Sequence, residues 1–467
     1  MVMGELTTRV DVAVIGAGPG GYTAAIRAAQ LGLDVVLIEK NKIGGCCTNV
    51  GCIPSKALIH AATVKFEAEH AANMGIDAEI KLDFAKTQKW KDGVVEKLRN
   101  GIEMICRFNG VDVIKGKAFF TSSNTLSVQT ENGMRDIEFK NVIIATGTRI
   151  KELPNLPQDH KKVISSDDIF SLDKLPQRLI VVGGGYIAIE MACLFTKFGS
   201  RVVVIYRGSR LLKKLEPEIS ITLARKMKEI GCEIVFDGEV ESVQGNVANV
   251  KAPDGIRKLE FDKLLITTGR VPDYEGLGLD KTKVSVNTEG LIEVDNTMRT
   301  KDEKIFAIGD IVAGPQLAHK AFRQGKVAAE VIANQKSAFD NVAIPSVVFS
   351  EPEIATVGLT EQEANEQGHK IKIGRMPYTS SGKAKTMDKT DGFVKIVANE
   401  DGLVLGVHVI GFGAADLIAE ATLAIEMGAT LEDLALTIHT HPTMPEALAE
   451  AAEEALGQAI HLYKGKM

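Results

Sequence analysis

An α/β fold, with parallel strands flanked by helices, is predicted for this 467-residue chain by three features. A strand-like run, Val10 to Ile15, ends in a glycine-rich turn and leads into a helical stretch, Tyr22 to Leu31, and a second strand-like run, Val35 to Glu39. The same order recurs from Leu179 to Val182, through a helix ending at Phe198, to the run Val202 to Tyr206. Each copy then finishes alike. Glu131-Asn132-Gly133 leads through Phe139 to Ala145-Thr146-Gly147, and Pro253-Asp254-Gly255 leads through Phe261 to Thr267-Thr268-Gly269. Asn-Gly and Asp-Gly between alternating runs are hairpin turns.

The first glycine turn reads Gly16-Ala17-Gly18-Pro19-Gly20-Gly21. In this context Gly16 makes the tight turn, Gly18 lets a pyrophosphate approach the backbone, and Gly21 packs helix on strand, with the phosphates at the helix N-terminus. Glu39 ends the second strand, where a carboxylate accepts ribose hydroxyls. A glycine fingerprint alone is an ordinary turn; strand, helix and acid in sequence make it a dinucleotide site. Gly183-Gly184-Gly185-Tyr186-Ile187-Ala188 is the second fingerprint, so two Rossmann-like dinucleotide-binding domains are expected. Tyr206 stands as far beyond Gly183 as Glu39 stands beyond Gly16, and Arg207 follows it with Arg210 nearby. Loss of the acid beside an arginine accommodates a 2′-phosphate. The same residues read equally well as a solvated basic turn, so NAD(H) and NADP(H) are both compatible.

The first copy, Gly16 to Gly147, is longer than the second, Gly183 to Gly269, and the natural place for the extra residues is directly after Glu39. There lie the stretch Gly44-Gly45-Cys46-Cys47-Thr48-Asn49-Val50-Gly51-Cys52-Ile53-Pro54-Ser55-Lys56 and a helical pattern from Leu58 to Met74. Cys47 and Cys52 are five positions apart. On a regular helix that spacing separates Cα atoms by roughly 8–9 Å, beyond the reach of a disulfide. A bridge between them needs a distorted turn, which Gly51 and Pro54 permit. Strained, reducible disulfides are the ones used in exchange chemistry.

Composition narrows the function classes. A net charge of −6 leaves no footprint for nucleic acid or anionic membrane. Six cysteines in a chain of this length are not a secreted disulfide framework, so Cys106, Cys193 and Cys232 are expected as packed thiols. Met1 to Asp11 lacks the charge and apolar pattern of a secretion signal, and the apolar segment Leu179 to Phe195 is broken by glycines and Glu190. The cytoplasm is the expected compartment, and no metal site is expected.

Together with Gly269-Arg270-Val271-Pro272, Ile308-Gly309-Asp310, Leu317-Ala318-His319, Pro345 to Phe349 and His439-Thr440-His441-Pro442-Thr443, these segments carry a resemblance over essentially the whole chain. It is to the pyridine nucleotide-disulfide oxidoreductase family, most closely to its dihydrolipoamide-oxidising branch. The resemblance implies FAD at the first fingerprint, beside Gly16, Gly18, Gly21, Glu39, Lys40, Gly45, Lys56, Ala145, Thr146, Gly147, Gly309, Asp310, Leu317, Ala318 and His319. It implies a nicotinamide dinucleotide beside Gly183, Gly185, Tyr186, Ile187, Tyr206, Arg207, Gly269 and Arg270. Cys47 would exchange with substrate, Cys52 would face the flavin, and Lys56 would pair with Glu190. Read without the resemblance, Lys56 is a solvated helix residue and Glu190 a surface acid. His441 and Glu446 have the spacing of an imidazole held in one tautomer by a carboxylate. The resemblance implies that this histidine serves the partner subunit's disulfide in a homodimer. The implied activity is oxidation of free or protein-bound dihydrolipoamide through the Cys47–Cys52 disulfide and FAD, with hydride passed to NAD(P).

Four divisions are expected: an FAD domain at 1–147, an NAD(P) domain at 148–270, a segment at 271–343 completing the FAD domain, and an α+β interface domain at 344–467. The last should end in helices over Ala414 to Met427 and Pro445 to Ala459. Cys46 stands where the family usually has threonine; it reads as a small-residue exchange, or as a third thiol that competes for Cys52 or binds a soft metal. A mercuric reductase is disfavoured by the ending Leu462 to Met467, which has no cysteine pair, and a glutathione reductase by Ile53-Pro54-Ser55-Lys56 and Leu317-Ala318-His319. Arg207 keeps an NADP-linked disulfide reductase as the alternative. A docking subunit of a 2-oxoacid dehydrogenase or glycine-cleavage assembly is the non-catalytic reading, with any lipoyl carrier expected on a separate chain.

Overall fold

A computed structural model describes residues 8–462. The readings of Met1 to Thr7 and of the end from Tyr463 to Met467 lie outside the described residues. The fold starts with β1 (Thr8–Ile15), α1 (Pro19–Gln30) and β2 (Val35–Glu39). Three helices follow before the chain rejoins the sheet: α2 (Gly45–Val50), α3 (Cys52–Glu69) and α4 (Phe84–Phe108). Asp83 starts α4 by accepting the Lys86 N–H at 3.0 Å, an N-cap that satisfies one orphan donor. Then come β3 (Asp112–Lys115), β4 (Lys117–Ser122), β5 (Thr125–Thr130) and β6 (Gly133–Ile144). The order β3-β2-β1-β6-β5-β4 puts β1 at the centre, parallel to both β2 and β6, with Ile15 in register with Ile38 and Ile144. Ala13 and Val14, on opposite faces of β1, are both fully buried, as a strand covered on both faces requires.

The second unit repeats this plan. It comprises β7 (Thr148–Ile150), β8 (Val163–Ser165), β9 (Arg178–Val182), α5 (Tyr186–Phe198), β10 (Arg201–Ile205), α6 (Pro217–Glu229) and β11 (Glu233–Val235). A hairpin sheet, β12 (Glu239–Gln244), β13 (Val247–Ala252) and β14 (Gly255–Glu260), precedes β15 (Lys263–Ile266) and β16 (Arg270–Pro272). The parallel sheet runs β11-β10-β9-β15-β8. Strands β7 and β16 pair antiparallel, so the entry to and exit from this unit run side by side next to the first unit.

The chain then returns: β17 (Ile305–Ala307) pairs parallel with β6, and α7 (Ala318–Ile332) packs on α1. The two helices meet at glycine, since a Cβ on Gly325 would stand 2.6 Å from the Gly20 carbonyl oxygen. The last unit holds β18 (Ser346–Val348), β19 (Ile354–Gly358), α8 (Glu361–Glu366), β20 (Ile371–Pro377), α9 (Gly382–Thr386), β21 (Phe393–Asn399) and β22 (Val404–Ile410). Its antiparallel sheet, β18-β19-β22-β21-β20, carries α10 (Ala414–Met427), α11 (Leu431–Leu436) and α12 (Glu446–Ala455). The expected helix Pro445 to Ala459 is corrected: it stops at Ala455, and Gly457 two residues later adopts φ +75°, a left-handed terminator. Among the described residues, no helix is long and apolar enough to cross a membrane.

Candidate active site

The first fingerprint is shaped by contacts that exclude side chains. Gly16 has φ +98°, and a Cβ on Gly21 would stand 1.8 Å from the Gly16 carbonyl oxygen, so α1 sits directly against the turn leaving β1. At Gly18, by contrast, the nearest atom to an added Cβ is the Gly45 Cα at 4.0 Å, leaving open space over the N-terminus of α1. Glu39 is fixed by two backbone donors: Ala17 N–H to Oε2 at 2.8 Å and Asn41 N–H to Oε1 at 2.7 Å. From here a cavity of ≈ 1080 Å³ extends past Gly45, Ala145, Thr146 and Gly147 to Cys46, Cys47, Cys52 and Lys56, and on to Gly309, Asp310, Ala318, Tyr186, Ile187 and Glu190. Two buried polar atoms on its wall, Thr146 Oγ1 and Asn49 Oδ1, have no hydrogen-bond partner among the described residues. Open space at a helix N-terminus, an acid at the strand end and orphaned polar atoms between them fit a dinucleotide. Lys40 lines the same cavity and donates to Asp273 at 2.6 Å. Leu317 and His319 do not line it; the His319 Nε2 bonds the Pro345 carbonyl at 2.7 Å instead.

The thiol pair sits where α2 breaks into α3. Gly51 closes one helix and opens the next, and that break brings Cys47 and Cys52 into hydrogen-bond contact although they stand five positions apart. A Cβ on Gly51 would stand 3.0 Å from the Cys46 carbonyl oxygen, so the turn is tight on its inner side. Both cysteines are free thiols. The Cys47 S–H donates to Cys52, and this bond is the largest influence lowering the Cys52 pKa to about 7, aided by Lys56 against burial and Glu190. The same bond, together with burial, pushes Cys47 far up. Of the two thiols, Cys52 is therefore the one that ionises first.

Lys56 lies one turn beyond Cys52 and donates to both Glu190 oxygens, at 3.0 and 2.8 Å. Glu190, on α5 of the second unit, is 3% exposed and also accepts the Phe349 N–H at 3.1 Å. The Lys56 Nζ stands 4.5 Å from the centre of the Phe349 ring. One ion pair thus fastens three parts of the chain at the thiols, with the lysine charge on the Cys52 side.

Sequence reasoning named Arg270, Cys46 and Asp310 but missed Thr148, Asp167 and Lys320 beside them. Arg270 donates to Thr148 Oγ1 and the Thr148 carbonyl, and to Asp167 Oδ1, all at 3.0 Å, which locks the β7/β16 crossing against the cavity. Cys46 faces this arginine; although its side chain is exposed to the cavity, desolvation by the protein packed around it raises its pKa to about 11. Among the described residues no cluster of three or more His, Cys, Asp or Glu side chains is arranged to hold a metal ion. Asp310 is raised above the usual carboxylate range by burial, opposed by Lys320 and Arg270, while burial lowers Lys320 to about 8. Only the adjacency of Lys320 to His319 could have signalled it.

The second fingerprint contributes Tyr186, Ile187 and Glu190 to the cavity, whereas Gly183, Gly185, Tyr206, Arg207 and Gly269 lie outside its lining. His441 also stands apart. It is 78% exposed on the last unit, with Nδ1 donating to Glu446 Oε1 at 2.7 Å, while the Thr443 N–H donates to Glu446 Oε2 at 2.7 Å. Against partial burial, which works the other way, these donors keep Glu446 below the usual carboxylate range. His441 is not among the residues that line its own chain's cavity.

The family model described as pyridine nucleotide-disulphide oxidoreductase matches residues 10–325, and the one described as its dimerisation domain matches 344–452. The chain is 45% identical to the dihydrolipoyl dehydrogenase of Geobacillus stearothermophilus, over 99% of each. It is 44% identical to that of Bacillus subtilis, over 99% of this chain and 100% of the relative. Among solved structures, LpdA of Mycobacterium tuberculosis superposes with a TM-score of 0.88 at 26% identity, covering 96% of this chain and 99% of its own. The Cu(II) complex of RclA, an HOCl-induced flavoprotein disulfide reductase of Escherichia coli, gives 0.86 at 28% identity, covering 96% and 99%. With one family model running through both nucleotide units and its companion through the sheet beyond them, the chain belongs to the pyridine nucleotide-disulphide oxidoreductase family.

Proposed function

We propose that this flavoprotein disulfide oxidoreductase oxidises dihydrolipoamide, free or carried on another chain, and passes the electron pair to a nicotinamide dinucleotide. The observation that carries the reading is the polarised Cys47–Cys52 pair at the end of the dinucleotide cavity, with Lys56 and Glu190 behind it. The curated relatives named above are dihydrolipoyl dehydrogenases. FAD held along Gly16, Gly18, Glu39, Thr146 and Asp310 would supply the two-electron chemistry between the cysteines and the nicotinamide.

The chain's own part is sulfur exchange and proton control. With the pair oxidised, one thiol of the substrate gives its proton to His441 Nε2, since the thiolate is the attacking form. Glu446 holds the opposite ring nitrogen and stabilises the imidazolium. The thiolate attacks Cys47 Sγ, the Cys47–Cys52 bond breaks, and Cys52 leaves as thiolate. Cys52 stands beside Lys56, whose charge favours its departure as thiolate. The second substrate sulfur then displaces Cys47, closing the product disulfide. Cys47 takes up a proton and the other substrate proton leaves to solvent, leaving the reduced pair as one thiol and one thiolate. Because His441 stands outside its own chain's cavity, the histidine in this scheme belongs to a second copy, in a homodimer joined through the last unit.

The test is a trap. Cys52→Ser, incubated with a dihydrolipoamide derivative methylated on one sulfur and carrying an activated disulfide on the other, should accumulate a mixed disulfide on Cys47 with loss of the activating thiol, detected by intact mass. Cys47→Ser should accumulate none. Adduct on Cys52 alone would overturn the order of attack, and wild-type protein without dihydrolipoamide turnover would overturn the substrate.

A further inference from the structure

The two nucleotide units differ at the ribose end. In the first, Glu39 reaches back to the Ala17 N–H beside the fingerprint. In the second, the matching slot is filled by the Tyr206 ring, which lies against two glycines. A Cβ on Gly184 would stand 2.6 Å from the ring, and one on Gly208 would stand 2.7 Å from its far edge. The Tyr206 backbone is pinned as well, its N–H donating to the Val235 carbonyl at 3.0 Å and its carbonyl accepting the Gly238 N–H at 2.9 Å. That second bond sets the next residue, Glu239 at the start of β12, beside Arg207. The Glu239 carboxylate pairs with the Arg207 guanidinium. Arg210, the other arginine of this loop, donates to the Lys213 carbonyl at 2.6 Å.

We propose that Glu239 sets which nicotinamide dinucleotide the second site accepts, by neutralising Arg207 beside a ribose pocket from which Tyr206 has removed the carboxylate. The inference rests on the reading of the second fingerprint as the nicotinamide dinucleotide site. Without an acid on the ribose, a 2′-phosphate meets no carboxylate at the slot itself. Arg207 has the planar fork that suits it. Glu239 occupies that fork and adds a like charge near the phosphate, which favours the dinucleotide with a free 2′-hydroxyl. Preference is then held by an exposed ion pair from a neighbouring sheet, where the first unit uses an acid at the strand end.

Calorimetry on the FAD-loaded protein tests this with two probes that differ only in the 2′-phosphate, adenosine 5′-monophosphate and adenosine 2′,5′-bisphosphate. Glu239→Gln should tighten the bisphosphate about tenfold relative to the monophosphate, the scale of removing one nearby like charge and freeing one arginine. Arg207→Met should erase that gain in the double variant, and the NADP/NAD ratio of kcat/KM should move the same way. An unmoved binding ratio in Glu239→Gln, or a gain that survives Arg207→Met, would overturn the proposal while leaving the nucleotide reading intact. Failure of the monophosphate to bind the wild-type protein would overturn both.

Discussion

Cys52 shows how one residue's chemistry is set by neighbours the sequence scatters. Its thiol is lowered to about 7, first by the Cys47 hydrogen bond, with Lys56 helping and Glu190 opposing. A thiol whose folded pKa lies below its unfolded value stabilises the fold above the unfolded pKa, and that contribution is lost as pH falls through about 7. In the reduced protein, alkylation of Cys52 should therefore reach half its plateau rate near pH 7 and fall below it. Removing the lysine charge and removing the glutamate charge should act in opposite senses: Lys56→Met moves the midpoint up, Glu190→Gln moves it down. Peptide-resolved rates with iodoacetamide check this, and midpoints moving together would show that the ion pair acts only by holding the helices. Cys47 and Cys52 were legible because a spacing too long for a regular helix demands a break. The Lys56–Glu190 pair was not legible from the residues, since 134 positions separate its members and neither has a local partner that marks it. Arg207 with Glu239, 32 positions apart, was hidden for the same reason.

At the scale of elements, the sequence spoke most clearly where backbone geometry admits few residues. The Asn132-Gly133 and Asp254-Gly255 turns open β6 and β14, and the helix predicted over Ala414 to Met427 has those bounds. The last helix was overextended because the alanine- and glutamate-rich pattern continues past Ala455 while Gly457 overrides it. The fingerprint is the element whose function depends most on a missing atom. An alanine Cβ at Gly21 would overlap the Gly16 carbonyl oxygen at 1.8 Å, so Gly21→Ala must push α1 off the turn. Overpacking of this kind costs about 1–3 kcal/mol or more, and here the displacement falls on the backbone donors that would meet a pyrophosphate. Gly21→Ala should therefore purify with little flavin, read as the visible absorbance per mole of protein, while far-ultraviolet circular dichroism keeps its native shape. Full flavin content in that variant would mean that the turn tolerates the shift.

At the scale of the molecule, each chain carries the two halves of the proposed reaction in places that do not meet. The thiols lie in the cavity between the first and second units, whereas His441 and Glu446 sit on the exposed part of the last unit. The last unit is anchored to the second by buried charge: Lys395, 4% exposed, donates to Glu216 at 2.9 Å and to Glu361 at 2.7 Å. Breaking such a pair by removing one partner typically costs about 3–5 kcal/mol, so the histidine is not expected to swing to its own cavity. A second copy can supply it, because a two-fold interface presents each chain's last unit to the other. Mixed dimers decide the matter. Cys47→Ser and His441→Ala should each be inactive in dihydrolipoamide oxidation. In a heterodimer of the two, one site has the intact thiols of one chain and the intact histidine of the other, while the second site has both defects. Random reassortment after dissociation makes about half the dimers mixed, each with one of two sites restored, so recovery should approach about one quarter of wild-type turnover. If thiols and histidine acted within one chain, every site would keep a defect and mixing would recover nothing.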